Sequence, residues 1–201
     1  VLIVDDHPIT RLGISSIVKS QPDMDLAGEA GTVQEAIEVF ERCRPDITLM
    51  DLGLPDGSGI VAMQTIRQRY PEALFVVLTN FEGDEDIHLA LEAGARAYVL
   101  KGMNHDVLIN AVRRVHRGRR FLPHAVLKTL DSRSPDSTLS HRERQVLALV
   151  VDGLSNREIG SRLGISEVTV KRHMGSILVR LEVSDRTQAV VAALRRGMAH
   201  L

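Results

Sequence analysis

Five short apolar runs punctuate the first half of the chain, at residues 1–4, 24–29, 46–50, 73–78 and 97–100. Each is the length of a buried strand, and between them the apolar positions recur at helical spacing instead. Residues 9–19 place Ile9, Leu12, Gly13, Ser16 and Ile17 on one helical face, which is the face this pattern would turn inward. Residues 33–42 gather Val33, Ala36, Ile37 and Phe40, behind a Thr32-x-x-Glu35 capping signal. Further helix candidates span 58–69, 85–93 and 106–117. Five alternating strand and helix units with right-handed crossovers predict a doubly wound five-stranded parallel sheet. The expected order is the flavodoxin-like 2-1-3-4-5.

From residue 139 onward the strand pattern stops and helical spacing takes over. Ser140-x-x-Glu143 and Ser155-x-x-Glu158 are capping boxes that open two helices, and Gly153 closes the first. Gly164-Ile165-Ser166 forms a three-residue turn before a helix over 167–181, and a last helix runs over about 185–196. Helix, short glycine-containing turn, helix is the helix-turn-helix layout. Residues 131–138 are rich in Ser, Asp and Pro and read as linker, preceded by a short helix candidate over 121–130. The boundaries expected from the sequence are 1–117 for the α/β domain, 118–138 for the connection and 139–201 for the all-α domain.

Charge sharpens this division. The 201-residue chain has a net charge of −1, yet residues 1–117 hold 11 basic and 18 acidic side chains while residues 139–201 hold 10 and 6. An acidic first half and a basic last third suit different partners, nucleic acid among them for the second. No stretch of the sequence is long and apolar enough to span a bilayer, so no membrane role is expected. The single cysteine, Cys43, fits a reducing compartment, and the expected location is cytoplasmic.

The strand runs end in polar groups. Asp5 and Asp6 follow the first, Asp51 the third, Thr79 the fourth and Lys101 the fifth. Taken singly, each aspartate is equally well a turn residue before Pro8 or Pro55. In a parallel α/β sheet, however, the carboxyl ends of the strands share one edge, where ligands bind. Three carboxylates, a hydroxyl and an ammonium would converge there. Carboxylates of this kind make a hard, oxygen-only site for Mg2+, and Asp51 is a candidate nucleophile for a phosphoryl group. Lys101 and Thr79 would meet the oxygens of the transferring group.

Asp6, Asp51, Thr79 and Lys101, separated by 45, 28 and 22 residues, give the first half its resemblance to the receiver domain of bacterial two-component response regulators. The resemblance implies that Asp51 is the phosphoacceptor for a sensor histidine kinase. It also implies that Asp5, Asp6, Asp51 and the backbone carbonyl of Gly53 hold Mg2+, with Thr79 and Tyr98 as switch residues. A haloacid-dehalogenase-type phosphatase also uses a nucleophilic Asp and Mg2+, but it wants an acid two residues further on, where this chain has Gly53. No Walker-type phosphate loop occurs, so an enzyme with sustained turnover is not expected; any catalysis would be the receiver's own phosphoryl acceptance and slow self-dephosphorylation.

The second half resembles the LuxR-type helix-turn-helix of the NarL/FixJ response regulators. The residues that carry this are Leu139-Ser-x-Arg142-Glu143, Gly153-Leu-Ser-Asn-x-Glu-Ile159, Leu163-Gly-Ile-Ser166, Thr169-Val-Lys-x-His173 and Arg186-Thr-Gln-Ala189. In the third helix Val170, Met174, Ile177, Leu178 and Leu181 make an inward stripe. Arg172 points almost opposite that stripe, with Thr169, Gly175 and Ser176 beside it and Lys171 and His173 on the flanks, a face that suits DNA. By family analogy residues 171, 172 and 175 face the groove, and Gly175 departs from the pattern by offering no side chain. It is also expected to loosen the helix, by about 1 kcal/mol relative to Ala. The implied protein is a transcription regulator that binds promoter DNA as a homodimer on activation and engages RNA polymerase. Residues 189–194 are a candidate dimer seam. The alternative is a phosphorylation-independent regulator whose receiver is only a dimerisation scaffold.

Overall fold

A computed structural model of the protein describes residues 1–131 and 139–199. The chain divides into two compact units, a sheet unit drawn from Val1–Phe81 and Ile87–Leu127 and a helical unit that contains Lys128–Leu201.

In the sheet unit, β1 (Leu2–Val4), β2 (Gly28–Ala30), β3 (Thr48–Met50), β6 (Phe75–Thr79) and β7 (Ala95–Leu100) pair in parallel in the order β2-β1-β3-β6-β7. A small antiparallel hairpin, β4 (Gly53–Leu54) with β5 (Gly57–Ser58), intervenes. With that hairpin set aside, the order is the 2-1-3-4-5 that the alternating pattern predicts. The helices are α1 (Pro8–Lys19), α2 (Val33–Cys43), α3 (Gly59–Arg69), α4 (Asp84–Glu92), α5 (His105–His116) and α6 (His124–Asp131).

Successive strand residues point to opposite faces. Ile3, Leu49, Val76 and Val99 pack with Ile14 and Val18 of α1 and with Leu108, Val112 and Val115 of α5. Leu2, Val4, Met50 and Val77 alternate with them and are buried as well, as are Ala36, Val39 and Phe40 of α2 and Ala62, Met63 and Ile66 of α3. With both faces covered, the central strands are apolar at most positions, so they read as nearly unbroken runs.

Three details differ from the expectations. The second strand is only Gly28–Ala30, although Ala27 N still donates to Val1 O at 2.8 Å just before it. Helix α1 buries Ile14, Ser15 and Val18, and leaves Ile9 86% and Leu12 68% exposed. The inward face expected from Ile9, Leu12, Gly13, Ser16 and Ile17 is therefore the outer one. Finally, the sheet unit runs on past residue 117, since Phe121 N donates to Arg96 O at 2.9 Å and Phe121 bridges Ala97. The expected short helix is present as α6, while residues 132–138 of the expected linker lie outside the described residues.

The helical unit holds α7 (His141–Val151), α8 (Asn156–Leu163), α9 (Glu167–Arg180) and α10 (Arg186–Arg195) around Val146, Leu147, Val150, Ile159, Val170, Met174, Ile177, Ala189 and Ala193. Both capping boxes are complete, with Ser140 and Glu143, and Ser155 and Glu158, exchanging bonds with each other's backbone amides. The turn between α8 and α9 is tight enough to exclude a side chain at Gly160, where an added Cβ would lie 2.7 Å from Ile165 O. Helix α9 runs through Gly175 without a break. Ala189 and Ala193 of the candidate dimer seam are fully buried in this core, leaving Val191 as an exposed residue of that stretch.

A bidentate pair ties the loop after α1 to α5. Arg113 donates from Nε and Nη2 to the two Asp23 oxygens at 2.8 and 2.7 Å, and from Nη2 to Gln21 Oε1 at 2.9 Å. Those hydrogen bonds hold the Asp23 carboxyl below its ordinary pKa. A carboxylate whose pKa is depressed on folding stabilises above its unfolded value, and the contribution fades as pH falls through the folded value. Asp23→Asn is therefore expected to lower the urea midpoint at pH 7, with the gap to wild type closing below pH of about 4. Parallel urea titrations across that range would show it.

Candidate functional site

The carboxyl ends of β1, β3, β6 and β7 meet at one edge of the sheet. Asp51 N donates to Val4 O at 2.9 Å, Asp5 N to Ala30 O at 3.0 Å and Lys101 N to Thr79 O at 2.9 Å, so backbone bonds fasten each polar residue to a neighbouring strand. Lys101 Nζ lies 2.5 Å from Asp51 Oδ2 and 2.7 Å from Asp5 Oδ2. Burial pulls the lysine pKa down, but its hydrogen bonds to Asp5 and Asp51 and their charge outweigh this and hold it above the ordinary value. The ammonium stays charged, and it bridges two buried carboxylates. Leu52 N donates to Asp51 Oδ1 at 2.7 Å, with Gly53 N at 3.4 Å from the same oxygen.

Ligand atoms of Asp5, Asp6, His7 and Asp51 all fall within 4.8 Å of one another, a cluster that could hold a metal ion. Asp5 Oδ2 and Asp6 Oδ1 are buried without a well-directed hydrogen bond. Their neighbours are the Lys101 ammonium and, at 2.5 Å from Asp6 Oδ1, the His7 imidazole. Crowded carboxylate oxygens with unmet demand suit a divalent cation. His7 was not among the residues the sequence singled out, although its place directly after the Asp pair is the signal that could have found it.

Thr79 is buried at the end of β6, where its hydroxyl accepts from Phe81 N at 3.4 Å. Tyr98 is fully buried on β7, and its hydroxyl donates to Phe81 O at 2.9 Å. The two residues singled out as a switch thus engage the backbone N–H and C=O of one residue, Phe81.

Two further residues shape the loop beyond Asp51. Gly59 opens α3 directly behind Asp51, and a Cβ there would sit 1.9 Å from Asp51 O. Asp56 reaches across to α2, where its carboxylate accepts from Val33 N at 2.7 Å and Gln34 N at 3.1 Å. Those bonds hold its pKa low and place a negative charge on the helix N-terminus. Thr32 caps the same helix through Glu35 N, while Glu35 turns back to Gly31 N.

In the helical unit, several motif residues act as ties between helices. Arg142 donates to Leu163 O at 2.7 Å, fixing α7 to the end of α8. Arg186 donates to Asn156 Oδ1 at 3.2 Å and also to Leu154 O, fixing α10 to the start of α8. On α9, Lys171, Arg172, Gly175 and Ser176 are exposed. Lys171 is held by Glu167 at 2.8 Å, which keeps the glutamate pKa low. Thr169 is spent on the cap, with its hydroxyl 2.8 Å from that of Ser166. His173 is half-buried. The structure therefore brings Lys171, Arg172 and Ser176 together on one open face and sets Thr169 and His173 at its edge.

Comparison with known proteins decides the family. Residues 1–113 match the response regulator receiver domain, and residues 137–193 match the bacterial regulatory proteins of the luxR family. The protein belongs to the two-component response regulators of the NarL/FixJ family.

Relatives with the same layout include the uncharacterized transcriptional regulatory protein YhcZ of Bacillus subtilis, 38% identical, covering 98% of this chain and 96% of that protein. The response regulator protein VraR of Staphylococcus aureus is 37% identical over 98% of this chain and 97% of its own. A similar solved structure is that of RcsB from Salmonella enterica serovar Typhimurium, bound to a promoter in the presence of the phosphomimetic BeF3-. It has a TM-score of 0.73 and 25% identity over 95% of each chain. Members of this family of regulators read DNA through the helix-turn-helix, and among the described residues no helix is long and apolar enough to cross a membrane.

The Gly59 contact is testable. Gly59→Ala is expected to cost about 1–3 kcal/mol of stability through overpacking and to slow labelling of the protein by a small phosphodonor such as acetyl phosphate. Ser58→Ala, which removes only the α3 cap, should cost about 1 kcal/mol and leave the labelling rate near wild type. Thermal melts and phosphate-affinity gels would separate the two.

Proposed function

We propose that this response regulator is a transcription factor gated by phosphorylation of Asp51. The supporting observation is the Asp51 carboxylate at the end of β3, held by Lys101 at 2.5 Å beside the Asp5 and Asp6 carboxylates. A sensor histidine kinase presents a phosphohistidine. An Asp51 oxygen forms the new P–O bond as the P–N bond to the kinase histidine breaks. Asp5, Asp6, Asp51 and the Gly53 carbonyl would hold Mg2+, which when bound supplies positive charge for the phosphoryl oxygens. Lys101 exchanges a carboxylate for a phosphoryl oxygen as partner, and its raised pKa keeps it protonated while it does so.

Phosphorylation then biases the Thr79–Phe81–Tyr98 linkage. Thr79 now accepts from Phe81 N, and turning its hydroxyl toward a phosphoryl oxygen, to which it donates, draws that acceptor away from the amide. The Phe81 backbone moves, and its carbonyl is the group that Tyr98 holds. A local charge event is thereby passed to an element with two arrangements. Residues 1–117 serve as the receiver, 118–138 as the connection and 139–201 as the DNA-binding domain. Activation frees the helix-turn-helix and promotes a homodimer that places Lys171, Arg172 and Ser176 in the major groove of promoter DNA, with Thr169 and His173 toward the phosphates. Two-fold symmetry then calls for paired half-sites. The protein acts in the cytoplasm, on transcription by RNA polymerase.

The test is DNA binding on a random duplex panel, with and without beryllofluoride plus Mg2+, for wild type and Asp51→Ala. The expected result is tighter binding and a dimer on light scattering in the wild type only. Equal binding by both proteins under both conditions would instead make the receiver a phosphorylation-independent dimerisation scaffold.

A further inference from the structure

The open side of α9 is not wholly polar. Val168 is 75% exposed and Val179 77% exposed, although both lie on a helix with a well-formed apolar core side. At about 100° per residue, Val168, Arg172, Gly175 and Val179 fall within one sector about 60° wide, opposite Val170 and Ile177. Val168 is in the first turn, one turn before Arg172 and three residues before Lys171, so two cations flank its methyl groups. Nothing lies within 4 Å of the place a Gly175 side chain would take, so the surface beside this sector is bare backbone. In solution this exposed isopropyl group gains nothing from water, and Ala would serve the helix better.

We propose that Val168 is a base-reading residue that packs its methyl groups on the C5-methyl of a thymine. This rests on the DNA-binding reading above. In the major groove the thymine methyl is the apolar feature that distinguishes one base pair from another, and an aliphatic side chain is its complement. The first turn of a recognition helix is the part that reaches base edges. Arg172 lies about 6 Å further along the helix axis, from 1.5 Å of rise per residue. That places its guanidinium one or two base steps away, where guanine O6 and N7 are its natural acceptors. The absent side chain at 175 lets the helix approach the bases closely enough for a short Val side chain to touch. Each half-site therefore carries a thymine within two base pairs of a guanine.

The experiment uses the full chain activated with beryllofluoride and Mg2+. Duplexes are enriched from a random pool, and each thymine of the enriched site is then replaced in turn by deoxyuridine, which removes only the methyl group. Affinities are read by fluorescence anisotropy for wild type and Val168→Ala, a variant at an exposed position where Ala favours the helix. One replacement per half-site is expected to weaken wild-type binding about four-fold, the worth of one buried methyl. Val168→Ala should bind the thymine and deoxyuridine duplexes equally. If sequences are enriched but no methyl matters to the wild type, or Val168→Ala keeps the same sensitivity, the Val168 assignment falls while DNA binding stands. If no sequence is enriched, the DNA-binding reading falls and takes this assignment with it.

Discussion

Carboxylates at the ends of neighbouring strands repel one another, and the Lys101 ammonium is what allows this sheet to hold them together. It contacts Asp5 and Asp51 at once, from the end of β7. A lysine anywhere else on the sheet could not do so, because only the β2-β1-β3-β6-β7 order brings these strand ends to a common edge. The charge balance remains incomplete, with three carboxylates against one ammonium and the Asp6 oxygen beside His7. That residual negative charge is the physical reason the site suits a divalent cation. Such a cation, together with Lys101, would offset the charge of a phosphoryl group, itself an anion.

The loop beyond Asp51 is fixed from two sides. Gly59 closes it against the Asp51 carbonyl, and Asp56 anchors it to the N-terminus of α2. Thr79 and Tyr98 then meet at the Phe81 peptide rather than at the carboxylates. The acid pocket is thus connected to the rest of the unit by backbone groups, which respond to a change in hydrogen bonding without needing a large motion. The helical unit follows a different economy. Its buried apolar stripe and capping boxes set each helix, while Arg142 and Arg186 set one helix against another. What remains free on α9 is a face of cations around an apolar centre.

The pattern of apolar runs was enough to place all five main strands and the ten helices of the described residues in order, because strand burial and helical periodicity are local signals. The polar residues closing those runs led to Asp5, Asp6, Asp51, Thr79 and Lys101, since the carboxyl ends of parallel strands must share an edge. Capping boxes at Ser140 and Ser155 were legible for the same reason: donor, acceptor and helix all lie within four residues. The hairpin β4–β5 was not legible, as two-residue strands carry no periodicity.

Other features depended on partners far away in sequence. Helix α1 offers two apolar arcs, and which of them is buried depends on how the chain leaves Asp5 and enters the helix at Pro8; the structure turns Ile14 and Val18 to the sheet and Ile9 outward. Asp56 and Gly59 look like ordinary turn residues until α2 and the Asp51 carbonyl are brought beside them. The sequence by itself determined the two-part plan, the strand order and the chemistry gathered at the sheet edge, because those follow from short-range pattern and the chirality of the chain. Only the tertiary structure decided which faces stay open and which polar groups are already spoken for, because that is settled by contacts between residues tens of positions apart.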